Sequence, residues 1–535
     1  MVVRSARPLN SWLWNKIRLR KWRILLLLFV MIYALLLSYK LGYMSIQWDE
    51  IPHLYGGLLL ARGQPVNYVA TYGYYPPLYD ILAIGFFNLF GISVASGRLV
   101  AVLFSLFSIL LVFEFASKAY GSKIALISSI AFSVMPGFFW ISRIAMLETA
   151  LIFFFTLALF FFFSWMRFNQ NKMLVFCGLS LGIGFLAKYQ ILVAGLVMIF
   201  SILFMNWKKL RTRLPKLLLL PLIAILVVVP WVLILYQTNG LGKFGELLYV
   251  VQEGGQDRAI YSTRFPTPIF YIIEMTHPFP DIPVNPISLP LYMLGLLGLA
   301  LWAYRRKTED KFFLIWFITV YVFFTLIPNK QWRYVTPLFP VLAISAASFI
   351  AFVHSKAEQG WNHKQTRTIR KKILKVAAGL FVILVASSFV YSSYNAYQMV
   401  ARDQIHIPIE EATDYAVNNM TQNESIMVLC AFNLFNKDMV KFHIEAKSRK
   451  ALVWQYPELP VDAFKPNFNV TQLILICKEQ DVRYVFLYEY GGDVPYFQSN
   501  LTAMGVYMEL DNSGRFTDEY RVGGFPRTIT IFSFA

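Results

Sequence analysis

The chain has 535 residues, of which 57% are hydrophobic and 17% aromatic, while only 15% are charged, against roughly 25% in an ordinary soluble domain. That balance excludes both a disordered chain and a plain soluble enzyme. Repeated apolar runs of about 20 residues, each long enough for a hydrocarbon core of roughly 30 Å, point instead to a polytopic α-helical membrane protein.

The net charge of +19 is divided unevenly. Residues 1–395 hold 37 basic and 13 acidic side chains, whereas 396–535 hold 12 and 17. Bases in short loops beside spans follow the positive-inside rule, so the basic balance does not imply nucleic acid, and no nucleic-acid partner is expected. The cysteines at 177, 430 and 477 form neither a disulfide framework nor a metal-type spacing.

In chain order, a basic segment from Arg4 to Arg23 precedes an apolar run at 24–43 with no small-residue cleavage site, which reads as a signal anchor. An outer loop, 44–97, rich in Pro, Gly and Tyr, follows. Further apolar runs lie near 98–117, 122–140, 149–166, 173–187, 189–206, 217–236, 287–304, 312–328, 334–353 and 373–394, giving eleven spans. The connectors at Lys118/Lys123, Arg167/Lys172, Lys208–Lys216, Arg305–Lys311 and Lys356–Lys375, with the amino end, carry 27 of the 37 bases. Eleven spans place all of them inside. Counting the amphipathic segment 79–93 as a span would invert that arrangement, so it is laid flat on the outer face. The tail, 396–535, then falls outside as an α/β domain. Helical patterns at 409–420, 436–446 and 469–480 alternate there with strand-like runs at 426–431, 451–454, 483–487 and 528–532. All four glycosylation sequons, at Asn419, Asn423, Asn469 and Asn500, lie in this tail.

The same count gathers ionisable residues on the outer face. Asp49 and Glu50 follow the first span directly, in a loop closed by Tyr74, Tyr75, Pro76 and Pro77, where an acid can take a proton beside lipid. Arg143 and Glu148 stand alone in a long apolar stretch, and such groups beside hydrocarbon are usually paired or functional. Their mutual ion pair is the bland alternative. Lys188, Lys330 and Arg333 sit at outer span ends, where long cations also snorkel. A second outer loop, 237–286, adds Glu253, Asp257, Arg258, Arg264, Tyr271, Glu274 and His277 as a cover. Fixed cations with a carboxylate base suit transfer from a lipid phosphate to a hydroxyl. No nucleotide-binding motif is present in the sequence. Adjacent acids also suit a hard divalent cation, so a metal requirement stays open and no cofactor is assigned.

Seven ordered pieces carry a family resemblance: W-D-E at Trp48–Glu50, A-R-G-x-P at Ala61–Pro65, Y-P-P-L at Tyr75–Leu78, G-R-L at Gly97–Leu99, S-R-x-A-M-x-E at Ser142–Glu148, G-x-G-F-L-A-K-Y at Gly182–Tyr189 and K-x-W-R-Y-x-x-P-x-x-P at Lys330–Pro340. With these the sequence resembles the GT-C membrane glycosyltransferases of the protein O-mannosyltransferase and aminoarabinose transferase superfamily. The resemblance implies a GT-C-like bundle of about 11 spans, 1–395, with an extracytoplasmic α/β domain, 396–535. It also implies inverting hexosyl or pentosyl transfer from a polyprenyl (dolichyl-type) phosphate sugar to a protein, glycan or lipid hydroxyl, at a plasma or ER-type membrane. Its site residues map to Asp49, Glu50 and Glu148 as catalytic acids, and to Arg143, Lys188, Lys330 and Arg333 as donor phosphate ligands. Tyr75 and Tyr271 line the substrate loops, and Tyr75 replaces the lysine that aminoarabinose transferases carry before the proline. The alternative class is a transporter or lipid-sugar flippase, for which the sequence lacks inverted repeats.

Overall fold

The computed structural model describes residues 9–206, 215–238, 242, 262–276, 285–362, 368–402, 406–429, 435–457, 468–490, 502–524 and 527–535. Glu253, Asp257, Arg258, His277, Cys430, Asn500 and the basic stretch 208–213 lie outside them. Every one of the eleven apolar runs folds as helix. These are α1 (Leu9–Ser38), α5 (Val94–Tyr120), α6 (Ser122–Ser133) with α7 (Pro136–Ile141), α8 (Glu148–Phe168), α9 (Asn171–Ala187), α10 (Leu192–Asn206), α11 (Leu219–Gln237), α13 (Leu289–Arg305), α14 (Thr308–Leu326), α15 (Phe339–Asn362) and α16 (Thr368–Arg402). Among the described residues, six helical stretches are long and apolar enough to cross a membrane unaided. The others are shorter apolar helices, except α14, which has 19 residues but begins on Glu309, Asp310 and Lys311.

The run 122–140 is split because Pro136 cannot continue α6 and instead opens α7, with Met135 extended. Carbonyls freed inside a bilayer must find donors. Tyr33 donates to the Ser133 carbonyl at 2.8 Å and Ser392 to that of Val134 at 2.6 Å.

The first loop forms three short helices, α2 (Ile51–Ala61), α3 (Pro65–Tyr72) and α4 (Leu78–Phe90). At 13 residues, α4 is about 20 Å long, too short for the hydrocarbon core. It presents Ile81, Leu89 and Phe90 outward and packs on α2 and α5. Close approach of α5 to α2 depends on Gly97, where a Cβ would come within 2.3 Å of the Leu54 Cδ2.

Opposite ends of α5 and α8 separate two charge groups. At one end, Arg23 meets Glu114, Arg167 meets Glu309, and Arg305 meets Asp310. At the other end lie Asp49, Glu50, Arg98, Glu148, Lys188 and Arg333, joined by further pairs. Arg167 and Arg305, from two of the basic connectors, thus sit at the end of the bundle away from the acids of the first loop.

The tail is an α/β unit. Its five-stranded sheet has the order β2-β1-β3-β5-β4, from β1 (Ser425–Leu429), β2 (Leu452–Tyr456), β3 (Val482–Tyr490), β4 (Phe516–Gly524) and β5 (Arg527–Phe534). β1 runs parallel to β2 and β3, whereas β5 is antiparallel to β3 and β4. Covered on both faces, β1 is buried throughout and reads as unbroken Ser-Ile-Met-Val-Leu. Helices α17 (Ile409–Asn418), α18 (Lys437–Ala446), α19 (Val470–Glu479) and α20 (Ala503–Asn512) complete it. β4 and α20 are additions to the pattern read from the sequence. The unit rests on the first loop: Tyr55 donates to Glu445 at 2.7 Å, Arg62 to Ser448 at 2.7 Å and Tyr72 to Asp438 at 3.0 Å. It therefore occupies the same end of the bundle as Asp49.

Candidate active site

Asp49 lies in the turn before α2, its side chain 44% exposed, with Oδ2 2.7 Å from Arg333 Nη1. Arg333 comes from the 3-10 turn Trp332–Leu338, and its Nη2 donates to Gln331 Oε1 at 2.8 Å. The same guanidinium acts electrostatically on Glu148, the first residue of α8. Glu148 is closed to solvent and accepts from Lys188 Nζ at 2.8 Å. Lys188 is extended between α9 and the turn at Tyr189. Four residues from distant parts of the chain thus alternate in charge: Asp49, Arg333, Glu148, Lys188. Glu148 pairs with Lys188, and the pairing of Arg143 with Glu148 is not formed.

Glu50, next to Asp49, has a different setting. Arg98, fully buried on α5, grips it through Nε at 2.8 Å and Nη2 at 2.7 Å. Backbone amides of Gln47 and Ala145 supply two more bonds, at 2.8 and 2.5 Å. Its four acceptor positions are filled, and nothing is left for a substrate. Arg98 spends its remaining donors on the carbonyls of Leu41, Met44 and Ser45.

Arg143 caps the end of α1, donating to the carbonyls of Leu36, Leu37 and Tyr39 at 2.7–2.9 Å. A cation suits these orphaned carbonyls at the negative end of the helix dipole. Lys330 is buried, and among the described residues its Nζ has only the Pro328 carbonyl, at 3.4 Å. Burial pulls its ammonium below the usual lysine value. Tyr75 stands beside Asp49 and interacts with it electrostatically, its ring 4.3 Å from that of Tyr74. Tyr271, on the short helix α12 (Phe270–Glu274), is buried against Tyr321, and Glu274 of that helix pairs with Arg264 at 2.7 Å. Among the described residues, no three His, Cys, Asp or Glu side chains converge as a metal site.

Two features of the site were not singled out in the sequence. Arg98 lies within the G-R-L piece, and its spacing offers no sign of its partner 48 residues earlier. His53, one turn after Asp49, bonds through Nδ1 to Asp80 at 2.9 Å, and Tyr68 donates to the other Asp80 oxygen at 2.7 Å. Asp80 is hidden in the amphipathic segment laid flat above. A carboxylate on a helix face turned inward is the signal that could have found it.

Residues 75–234 match the family model of dolichyl-phosphate-mannose-protein mannosyltransferases. The fold is similar to that of ArnT from Cupriavidus metallidurans in the apo state, with a TM-score of 0.64, 15% identity, and coverage of 96% of this chain and 98% of that one. The same protein bound to undecaprenyl phosphate gives a TM-score of 0.62 at 14% identity, covering 96% and 98%. The oligosaccharyltransferase of Archaeoglobus fulgidus in the apo form gives 0.52 at 14% identity, covering 86% and 69%. No curated protein matches the chain. Bundle and sheet unit together thus share the fold of these membrane proteins, and the match to the mannosyltransferase family model falls within the bundle.

Proposed function

We propose that this protein moves a monosaccharide from a polyprenyl-phosphate donor to a hydroxyl of a protein, glycan or lipid acceptor, with inversion, at the extracytoplasmic face of a plasma or ER-type membrane. The observation that carries the reading is the contrast in exposure among the clustered acids. Asp49 is 44% exposed, whereas Glu50 and Glu148 are at 0% and 3%.

In the proposed step Asp49 takes the proton of the acceptor hydroxyl. The acceptor oxygen bonds to the anomeric carbon, and the bond from that carbon to the phosphate oxygen breaks, its electron pair leaving with the polyprenyl phosphate. Base and leaving group on opposite sides of the sugar give inversion. Lys330 and Arg333 receive the phosphate, with Lys188 behind Glu148. Fixed cations of this kind stabilise charge that develops on a leaving group. Glu50 and Arg143 serve the architecture under this reading, Glu50 fixing the turn that carries Asp49 and Arg143 closing α1. Tyr75, beside Asp49, and Tyr271, near Gln331, are assigned to the walls of the substrate space.

The test supplies purified protein with a panel of dolichyl- and undecaprenyl-phosphate hexoses and pentoses, with and without chelator, and measures released polyprenyl phosphate. Transfer from at least one donor is expected. In single turnover Asp49→Asn should lose about 10²–10⁴-fold in rate, with donor binding kept. An inert wild type, or near-normal transfer by Asp49→Asn, overturns the reading.

A further inference from the structure

His53, Asp80 and Tyr68 form a buried polar group beside the site that the reaction above leaves without a task. Burying it is costly unless every member is satisfied, and α2 and α4 are shaped to hold it. A Cβ on Gly56 would lie 3.0 Å from the Tyr68 ring and 3.2 Å from Asp80 Oδ2. A carboxylate can only accept, so the bond from His53 Nδ1 to Asp80 fixes the proton on Nδ1 and leaves Nε2 as an acceptor in the neutral ring. Among the described residues nothing bonds to Nε2, and it is not among the unpartnered atoms closed off from solvent. The ring lies edge-on to Tyr75, with centroids 5.0 Å apart, and Tyr75 in turn flanks Asp49.

Resting on the proposed transferase reading, we propose that His53 Nε2, pinned by Asp80, accepts a hydrogen bond from one hydroxyl of the donor sugar held at Asp49. The ligand class is a neutral or aminated pyranose or furanose with a free hydroxyl on the side facing α2. Tyr75 supplies the flat wall against which its C–H face rests. His53 is then a specificity-determining residue: it selects donors by the presence of that hydroxyl and takes no proton in the transfer.

Pairing enzyme variants with substrate deletions tests the idea without depending on overall activity. Whichever donor of the panel is transferred is prepared as its set of monodeoxy derivatives, and kcat/KM is measured for wild type, His53→Ala and His53→Phe. Wild type should lose roughly 10–100-fold on one deoxy donor, because a polar group built to meet a hydroxyl is left unpaired. Against His53→Ala the same deletion should cost nothing further. Asp80→Asn, which keeps the shape but releases the ring, should shrink the penalty to an intermediate value and serves where His53→Ala does not fold. An undiminished penalty in a folded variant, or no penalty on any wild-type position, overturns the inference while leaving the transferase reading intact. A wild type that transfers from no donor overturns both.

Discussion

Replacing Arg98 with Met removes five hydrogen bonds from a place that water does not reach: two to Glu50 and three to the carbonyls of Leu41, Met44 and Ser45. Both side chains of the pair are fully buried. Deleting one partner of such a pair costs about 3–5 kcal/mol, because the remaining charge stays buried without compensation. Glu50→Gln should cost about the same order, since its amide nitrogen would face N–H donors that now point at a carboxylate oxygen. Replacing both residues by apolar ones should not restore stability, although that exchange is often neutral elsewhere. Three carbonyls and the amides of Gln47 and Ala145 would still lack partners, at roughly 1–3 kcal/mol for each that water cannot reach. The assay is thermal unfolding in one detergent, followed by tryptophan fluorescence. Arg98→Met, Glu50→Gln and the double variant should all melt well below wild type, whereas Asp49→Asn should melt with it and fail only in transfer. If Arg98→Met and Glu50→Gln melted with wild type, the architectural reading of Glu50 would be refuted.

Lys330→Ala should leave the melting temperature unchanged, because among the described residues its ammonium has a single weak contact, and should weaken donor binding by about 2 kcal/mol, or roughly 30-fold; equal donor affinity would remove Lys330 from the phosphate site. Arg333→Lys should lower the single-turnover rate more than donor affinity, since one ammonium cannot serve Asp49, Glu148 and a phosphate in a planar fork; an effect on affinity alone would argue against its role in the step. Burial pushes the His443 imidazole down to about 4, against the pull of Glu410. The folded form therefore resists a proton that the unfolded chain accepts near pH 6.5, so stability is full above that pH and falls as the pH drops towards 4, by up to about 3 kcal/mol. Melting of His443→Gln should show a shallower fall over the same range, and an unchanged slope would assign the pH response elsewhere.

The spans were readable because a bilayer leaves no choice: backbone must be helical and side chains apolar over the whole crossing, so each run announces itself. The break at Met135 was present too, in Pro136, but a single proline is lost in a window of 20 residues. In the sheet unit, β1, β3 and β5 show as apolar runs because they are central. β4 hides because it is an edge: Phe516-Thr-Asp-Glu-Tyr-Arg is largely exposed and charged, as edges that avoid pairing with other chains tend to be. Charge counting brought the ionisable groups to one end, yet it could not distribute partners among them. Lys188 and Arg143 look alike in sequence, each a lone cation at a span end. One meets Glu148, 40 residues earlier, and the other three carbonyls at the end of α1, more than 100 residues earlier, a difference set by helix packing.

Charge bookkeeping at the site connects these pairings to the proposed reaction. Asp49, Arg333, Glu148 and Lys188 sum to zero, and Lys330 adds one positive charge for which no carboxylate partner stands among the described residues. In the proposed reaction a polyprenyl phosphodiester sugar brings one negative charge, which Lys330 would balance. During transfer the acceptor proton neutralises Asp49 while the departing phosphate gains a negative charge, so the total does not change and the charge only moves. In the proposed reaction Arg333 would stand between origin and destination. It holds Asp49 at 2.7 Å, and under the proposed mechanism it would be released towards the phosphate as Asp49 loses its charge. In a low-dielectric space, moving a charge along a fixed cation avoids the cost of creating one. The interaction gained by Arg333 is therefore strongest after the ground state, and binding of that kind raises rate more than affinity.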